Sequence, residues 1–120
     1  MVVQGEAQAT LAWERTYGSQ GYETLGGIVP TTDGHYVFGG VTNAGINNDV
    51  SQISRGGSDF WLVKFDANDG DVLWDQRYGG NSTEQLSYLI STSDGGYLLG
   101  GWSFSDASGE KSQDNVGFPW

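Results

Sequence analysis

The chain has no cysteine, which excludes disulfide frameworks, thiolate metal sites and thiol nucleophiles. Basic residues are also scarce: 5 Lys and Arg stand against 15 Asp and Glu, for a formal net charge of −10. Such a surface repels phosphate backbones and anionic lipid headgroups, so no nucleic-acid partner and no membrane insertion is expected. No apolar run approaches the roughly 18 residues that a membrane helix needs. The opening Met1-Val2-Val3-Gln4-Gly5-Glu6 lacks the basic and apolar regions of a secretory signal, so any export signal is expected outside this chain. With a single histidine, His35, there is little material for imidazole catalysis either.

What the chain has in quantity is glycine, 20 of 120 residues, set among short apolar runs and Asn, Asp and Ser. That composition favours strands and turns over helices. It is also written twice. Trp13, Tyr17-Gly18, Glu23, Leu25, Thr31, Asp33-Gly34, Tyr36 and Gly39-Gly40 recur 61 residues on as Trp74, Tyr78-Gly79, Glu84, Leu86, Thr92, Asp94-Gly95, Tyr97 and Gly100-Gly101. A fixed period of this length, built from strand formers and Asp-Gly turns, points to an all-β repeat fold whose units are β-propeller blades.

Within the first repeat, Leu25 to Thr31 and His35 to Val41 flank an Asp-Gly turn, which predicts a hairpin. Asp59 to Phe65, a turn over Asp66 to Asp71, and Val72 to Tyr78 predict a second one. Four antiparallel strands per repeat make a blade. The second repeat begins the same way, with Leu86 to Thr92 and Tyr97 to Phe104. Leu98, Leu99 and Trp102 make that last strand nearly continuous in apolarity, which predicts burial on both faces. Leu11 to Tyr17 reads as a fourth strand without a preceding blade. Aligning Trp61 with Trp120 makes the second repeat two residues shorter than the first. The expected organisation is residues 1–17 as the outer part of a split blade, 18–78 as a complete blade and 79–120 as a partial second blade. About six to eight blades would close a ring, so the open faces require other blades or other copies of the chain.

Lys64-Phe65-Asp66-Ala67-Asn68-Asp69-Gly70-Asp71-Val72-Leu73-Trp74 resembles the tryptophan-docking motif of quinoprotein-type propellers. The resemblance assigns Asp66, Gly70 and Trp74, with Trp13 as the earlier tryptophan, to blade docking. The wider pattern, from Asp-Gly-Gly-Tyr to Ser-Asp-Phe-Trp-Leu-Val-Lys-Phe-Asp, is similar to tandem repeats of secreted and cell-surface proteins of bacteria and some archaea. It implies an extracellular or surface location. A quinoprotein oxidoreductase would require a quinone pocket with calcium-binding carboxylates, and no residues here match them.

No catalytic, cofactor or metal site is expected. Asp66 to Asp71 has oxygen ligands at alternating places, but its Gly is out of step with a calcium loop and no distal Glu is in register, so it reads as a hairpin turn. Glu23 and Glu84 repeat, which assigns them structural partners, either a backbone amide or Arg15 and Arg77. The polar stretches Asn43 to Ser58 and Ser105 to Gly117 fall at corresponding positions and would project from one face. Asn43, Asn47, Asn48, Asp49, Arg55, Asp106, Glu110 and Asp114 are the candidate ligand contacts. The expected function is a non-catalytic scaffold or binding platform for a carbohydrate or protein. The alternatives are a ring self-assembled from copies of this chain and, behind it, a fragment of a quinoprotein-like enzyme.

Overall fold

The computed structural model describes residues 1–7 and 10–116. Among them there is no helix, and all eight strands pair antiparallel. β1 (Val2–Ala7) and β2 (Thr10–Thr16) form a hairpin. β3 (Glu23–Pro30), β4 (Tyr36–Thr42), β5 (Asp59–Phe65) and β6 (Val72–Tyr78) form a four-stranded sheet in sequence order, and β7 (Glu84–Ser91) and β8 (Tyr97–Ser103) form a second hairpin. The hairpin turns follow from local chemistry. Gly34 and Gly95 each take φ +85°, a conformation that glycine reaches without a Cβ clash. In both turns the Thr31 or Thr92 hydroxyl donates to Asp33 or Asp94 and accepts the amide of residue 35 or 96 at 3.0 Å.

The sequence repeat is also a repeat of backbone irregularities. The β3–β4 register slips between Leu25 and Gly27, and the β7–β8 register slips between Leu86 and Tyr88. Opposite each bulge, the second glycine of the Gly-Gly pair has no room for a side chain. A Cβ on Gly40 would lie 1.7 Å from the Thr24 carbonyl oxygen, and one on Gly101 would lie 2.1 Å from that of Gln85. The second glycine of each pair is therefore a consequence of the bulge.

Alternation along the strands gives the central sheet two apolar faces. Phe38, Trp61, Val63 and Phe65 pack on Val3, Tyr17 and Trp13 of the first hairpin. Val37, Val41 and Leu62 pack on Leu86 and Leu89 of the second. The sheet thus lies between two hairpins, and its core is two layers of side chains rather than one.

Three expectations change. Leu11 to Tyr17 is not a lone strand, since β1 pairs with it from Val2↔Thr16 to Ala7↔Thr10; the polar Gln4, Gly5 and Glu6 had concealed the strand. β8 is covered on one face only, with Leu98 58 % and Trp102 50 % exposed. Its continuous apolarity marks a second face for which the described residues supply no cover. For Glu23 and Glu84 the arginine alternative fails, while the backbone-amide alternative holds for Glu84: Glu23 accepts the hydroxyls of Ser19 and Thr42, and Glu84 accepts the Gly80 amide together with the hydroxyls of Ser103 and Ser105. Hydroxyls presented by the adjoining strand and loop reach each carboxylate first, while Arg15 and Arg77 are engaged by aspartates. The alignment of Trp61 with Trp120 lies outside the described residues.

Candidate functional site

The two polar loops leave β4 and β8 at corresponding points, and each is bound back onto the fold by the same contacts. In the first, Asn47 and Val50 form a bridge. Beside it, the Asp49 carboxylate accepts the Gly18 amide at 3.0 Å, and the Asp49 amide donates to the Gly18 carbonyl at 3.2 Å. In the second, Ser108 bridges Lys111, and Glu110 makes the same two bonds to Gly79, both at 3.0 Å. Each carboxylate also meets a guanidinium, Arg15 on Asp49 at 3.3 Å and Arg55 on Glu110 at 2.7 Å. Burial works against the Glu110 carboxylate, but the Arg55 guanidinium and the Gly79 amide outweigh it and hold its pKa below the ordinary glutamate range.

Asn43, Asp106 and Asp114 are likewise engaged, while among the described residues the side chains of Asn47 and Asn48 are not. Asn43 accepts the Tyr22 amide at 2.7 Å, Asp114 the Ala107 amide at 3.1 Å, and Asp106 the Asn115 amide at 3.1 Å. Asn48 is exposed and sits at φ +48°, which asparagine tolerates better than most residues. Asn47 Oδ1 is buried with no partner. The structure brings Arg55 and Glu110 of the two loops together. Asp106 and Asp114 close turns within their own loop, Asn43 and Asp49 reach back to Tyr22 and Gly18, and Ile46 at 62 %, Ile53 at 67 % and Val116 at 98 % exposure are the prominent apolar side chains of the two stretches.

Under the first loop lies a buried polar network that sequence reasoning missed. Arg77 and Asp59 have fully buried side chains and pair at 2.7 Å. The rest of the guanidinium donates to the carbonyls of Ala44 at 2.5 Å, Gln52 at 3.3 Å and Thr42 at 3.4 Å. Asp75 accepts the Trp61 indole and the Ser51 amide, each at 3.0 Å. Gln52 accepts the Arg77 amide at 3.0 Å and donates to Gln76 at 3.0 Å. Ser51 and Gln52 thereby cover the outer edge of β6, which protects a strand edge from stray pairing. The available signal was a charge of each sign on facing strands of one apolar hairpin, Asp59 and Arg77.

Of the residues that the resemblance assigned to docking, Trp13, Gly70 and Trp74 lie at contacts between layers and Asp66 does not. Trp13 lies over the Asp66–Asp71 turn, with its indole donating to the Ala67 carbonyl at 3.0 Å. Tyr17 donates its hydroxyl to the Gly70 carbonyl, and burial pushes the phenol pKa up to about 12 against the opposing pull of Arg15. Gly70 has φ +79°, and a Cβ there would meet the Trp13 ring at 2.8 Å. Asp66 accepts the Asn68 amide at 2.8 Å and Asp69 the Asp71 amide at 2.9 Å, so these two carboxylates shape the turn. His35 accepts the Ala67 amide at 3.2 Å, joining two turns. Trp74 packs edge-on against Tyr97, centroids 6.3 Å apart, between the sheet and the second hairpin. Among the described residues, no three His, Asp or Glu side chains converge in a way that would hold a metal.

No family model and no curated protein sequence matches the chain.

Proposed function

We propose that the chain is a non-catalytic repeat module of β-propeller type, with blades of four strands, from a secreted or cell-surface protein. It serves as a scaffold whose stapled loops form a binding platform for a carbohydrate or protein. One observation carries the reading: both loops are anchored by the same carboxylate-to-glycine contacts, 61 residues apart, over a sheet stacked between two hairpins. Anchoring of this kind lowers the ordering cost of binding, because the loop is already held in one shape. The groups left to meet a partner are the exposed Ile46, Asn48, Ile53 and Val116 rather than the stapled carboxylates.

The test is retention of the chain on immobilised polysaccharides and peptidoglycan, compared with Ile46→Asp and Ile53→Asp variants that keep the parent strand spectrum. Binding that both variants abolish supports the platform. Release of new reducing ends or oxidised sugars from the same material would refute the non-catalytic reading, and binding untouched by both variants would refute the loop assignment.

A further inference from the structure

The packing of the sheet on the second hairpin shows what covers such a face. There Leu86 and Leu89 rest on Val37, Val41 and Leu62, with Val29 beside them. One repeat further on, the counterparts of Val29, Val37 and Val41 are Ile90, Leu98 and Trp102, which are 52 %, 58 % and 50 % exposed. One repeat earlier, the counterparts of Leu86 and Leu89 are Leu25 and Ile28, 46 % and 43 % exposed. The two halves of one kind of contact are thus both present on the chain, on opposite sides, each without its mate among the described residues.

The backbone repeats the pattern. β4 pairs with β5 along its full length. β8 is the counterpart of β4, and β1, by its register with β2, is the counterpart of β5. Among the described residues the outer edges of β8 and β1 have no partner strand. A cleft of about 500 Å³ containing Val3, Gly5, Ile28 and Tyr36 lies beside β1, and one of about 410 Å³ containing Phe60, Leu62, Tyr97 and Leu99 lies beside β8.

We infer that the β8 edge and the Ile90–Leu98–Trp102 face of one chain receive the β1 edge and the Leu25–Ile28 face of a second copy, head to tail. The inference rests on the repeat-module reading, since it extends the observed junction by one more unit. β8 and β1 join antiparallel in the β4–β5 register, which sets Leu99 opposite Gln4, Gly100 opposite Val3 and Gly101 opposite Val2. The first copy's β7–β8 and the second copy's β1–β2 become one four-stranded sheet. The contact is heterologous, so every copy keeps one donor and one acceptor side.

Leu98→Glu and Ile28→Glu place a charge on opposite halves of the contact, at side chains exposed in the single chain. By light scattering after size exclusion, the parent chain is expected at multiples of 12.9 kDa and each variant alone at the monomer mass. A mixture of the two variants is expected to form a one-to-one dimer through its remaining intact halves. A monomeric parent at every concentration, or variants that assemble like the parent, would overturn the inference, as would a mixture that stays monomeric. Should a variant misfold, the absence of native cysteine allows a second test. Oxidising a mixture of Val3→Cys and Gly100→Cys chains gives a cross-linked dimer, and Gln4→Cys with Gly100→Cys does not; equal cross-linking of both pairs, or of neither, refutes the register. A monomeric result leaves the platform reading intact, because that reading fails on the polysaccharide assay instead.

Discussion

Replacing Arg77 with methionine tests the network that joins the first loop to the sheet. The substitution keeps much of the buried volume and removes the cation paired with Asp59, whose side chain is fully buried. Asp59 then retains one hydrogen bond to its carboxylate, from the Arg55 amide at 3.0 Å. The carbonyls of Ala44, Gln52 and Thr42 lose their guanidinium donor as well. Breaking a buried ion pair from one side costs about 3–5 kcal/mol. With a urea dependence of about 2 kcal/mol per molar for a chain of this size, the midpoint should fall by about 2 M. The companion variant Asp59→Asn/Arg77→Met removes the stranded charge, and it should recover about 2 kcal/mol relative to the sum of the two single losses. Urea melts at fixed protein concentration measure both quantities. Amide exchange should accelerate over 43–52, because Arg77 holds Ala44 and Gln52. A loss below about 1 kcal/mol for Arg77→Met, or strict additivity in the double variant, would refute the argument that this pair locks the loop.

Gly70→Ala should destabilise by about 2–3 kcal/mol, since the new methyl is strained at positive φ and overlaps the Trp13 ring; unchanged stability and Trp emission would contradict the docking geometry. Glu84→Ala should cost about 2–3 kcal/mol and Glu23→Ala about 1, because the better-buried carboxylate strands more donors, and a reversed order in denaturant melts would be inconsistent with the structure. The Tyr17 phenol ionises near 10 when unfolded and near 12 when folded, so its stabilising effect is complete below pH 10 and fades as pH rises from 10 to 12. Tyr17→Phe should be less stable at neutral pH by about 1 kcal/mol and lack that part of the alkaline decline. The Asp33 carboxyl is held down to about 2, first by the Lys64 ammonium and then by the Thr31 hydroxyl. Its contribution is therefore present above pH 4 and lost as pH falls toward 2, a dependence that Lys64→Met should weaken in acid titration.

Much of the strand order is legible in the residues. β5 and β6 are bounded by turn formers, and their ranges, Asp59–Phe65 and Val72–Tyr78, coincide with the strands expected from the sequence. Turn chemistry is short-range, so Thr-x-Asp-Gly dictates the same hairpin wherever it occurs. β1 escaped because its pairing with β2 relies on backbone bonds, which leave little trace in a stretch such as Gln4-Gly5-Glu6. Of the candidate site, the loop positions were legible and the roles of their side chains were not. Asp49 and Glu110 look like free ligands until Gly18, Gly79 and the guanidiniums are placed beside them.

The amino-acid order alone determined the repeat and the turns, because the turns depend on φ/ψ preference and side-chain reach within a few residues. Only the tertiary structure decided which face of each strand is covered, which aspartate receives Arg77, and that Leu98 and Trp102 lie open while Val37 and Val41 lie buried. Those outcomes depend on what stands across about 10 Å of sheet spacing, and the order of residues along a strand carries no record of its neighbour in the next layer.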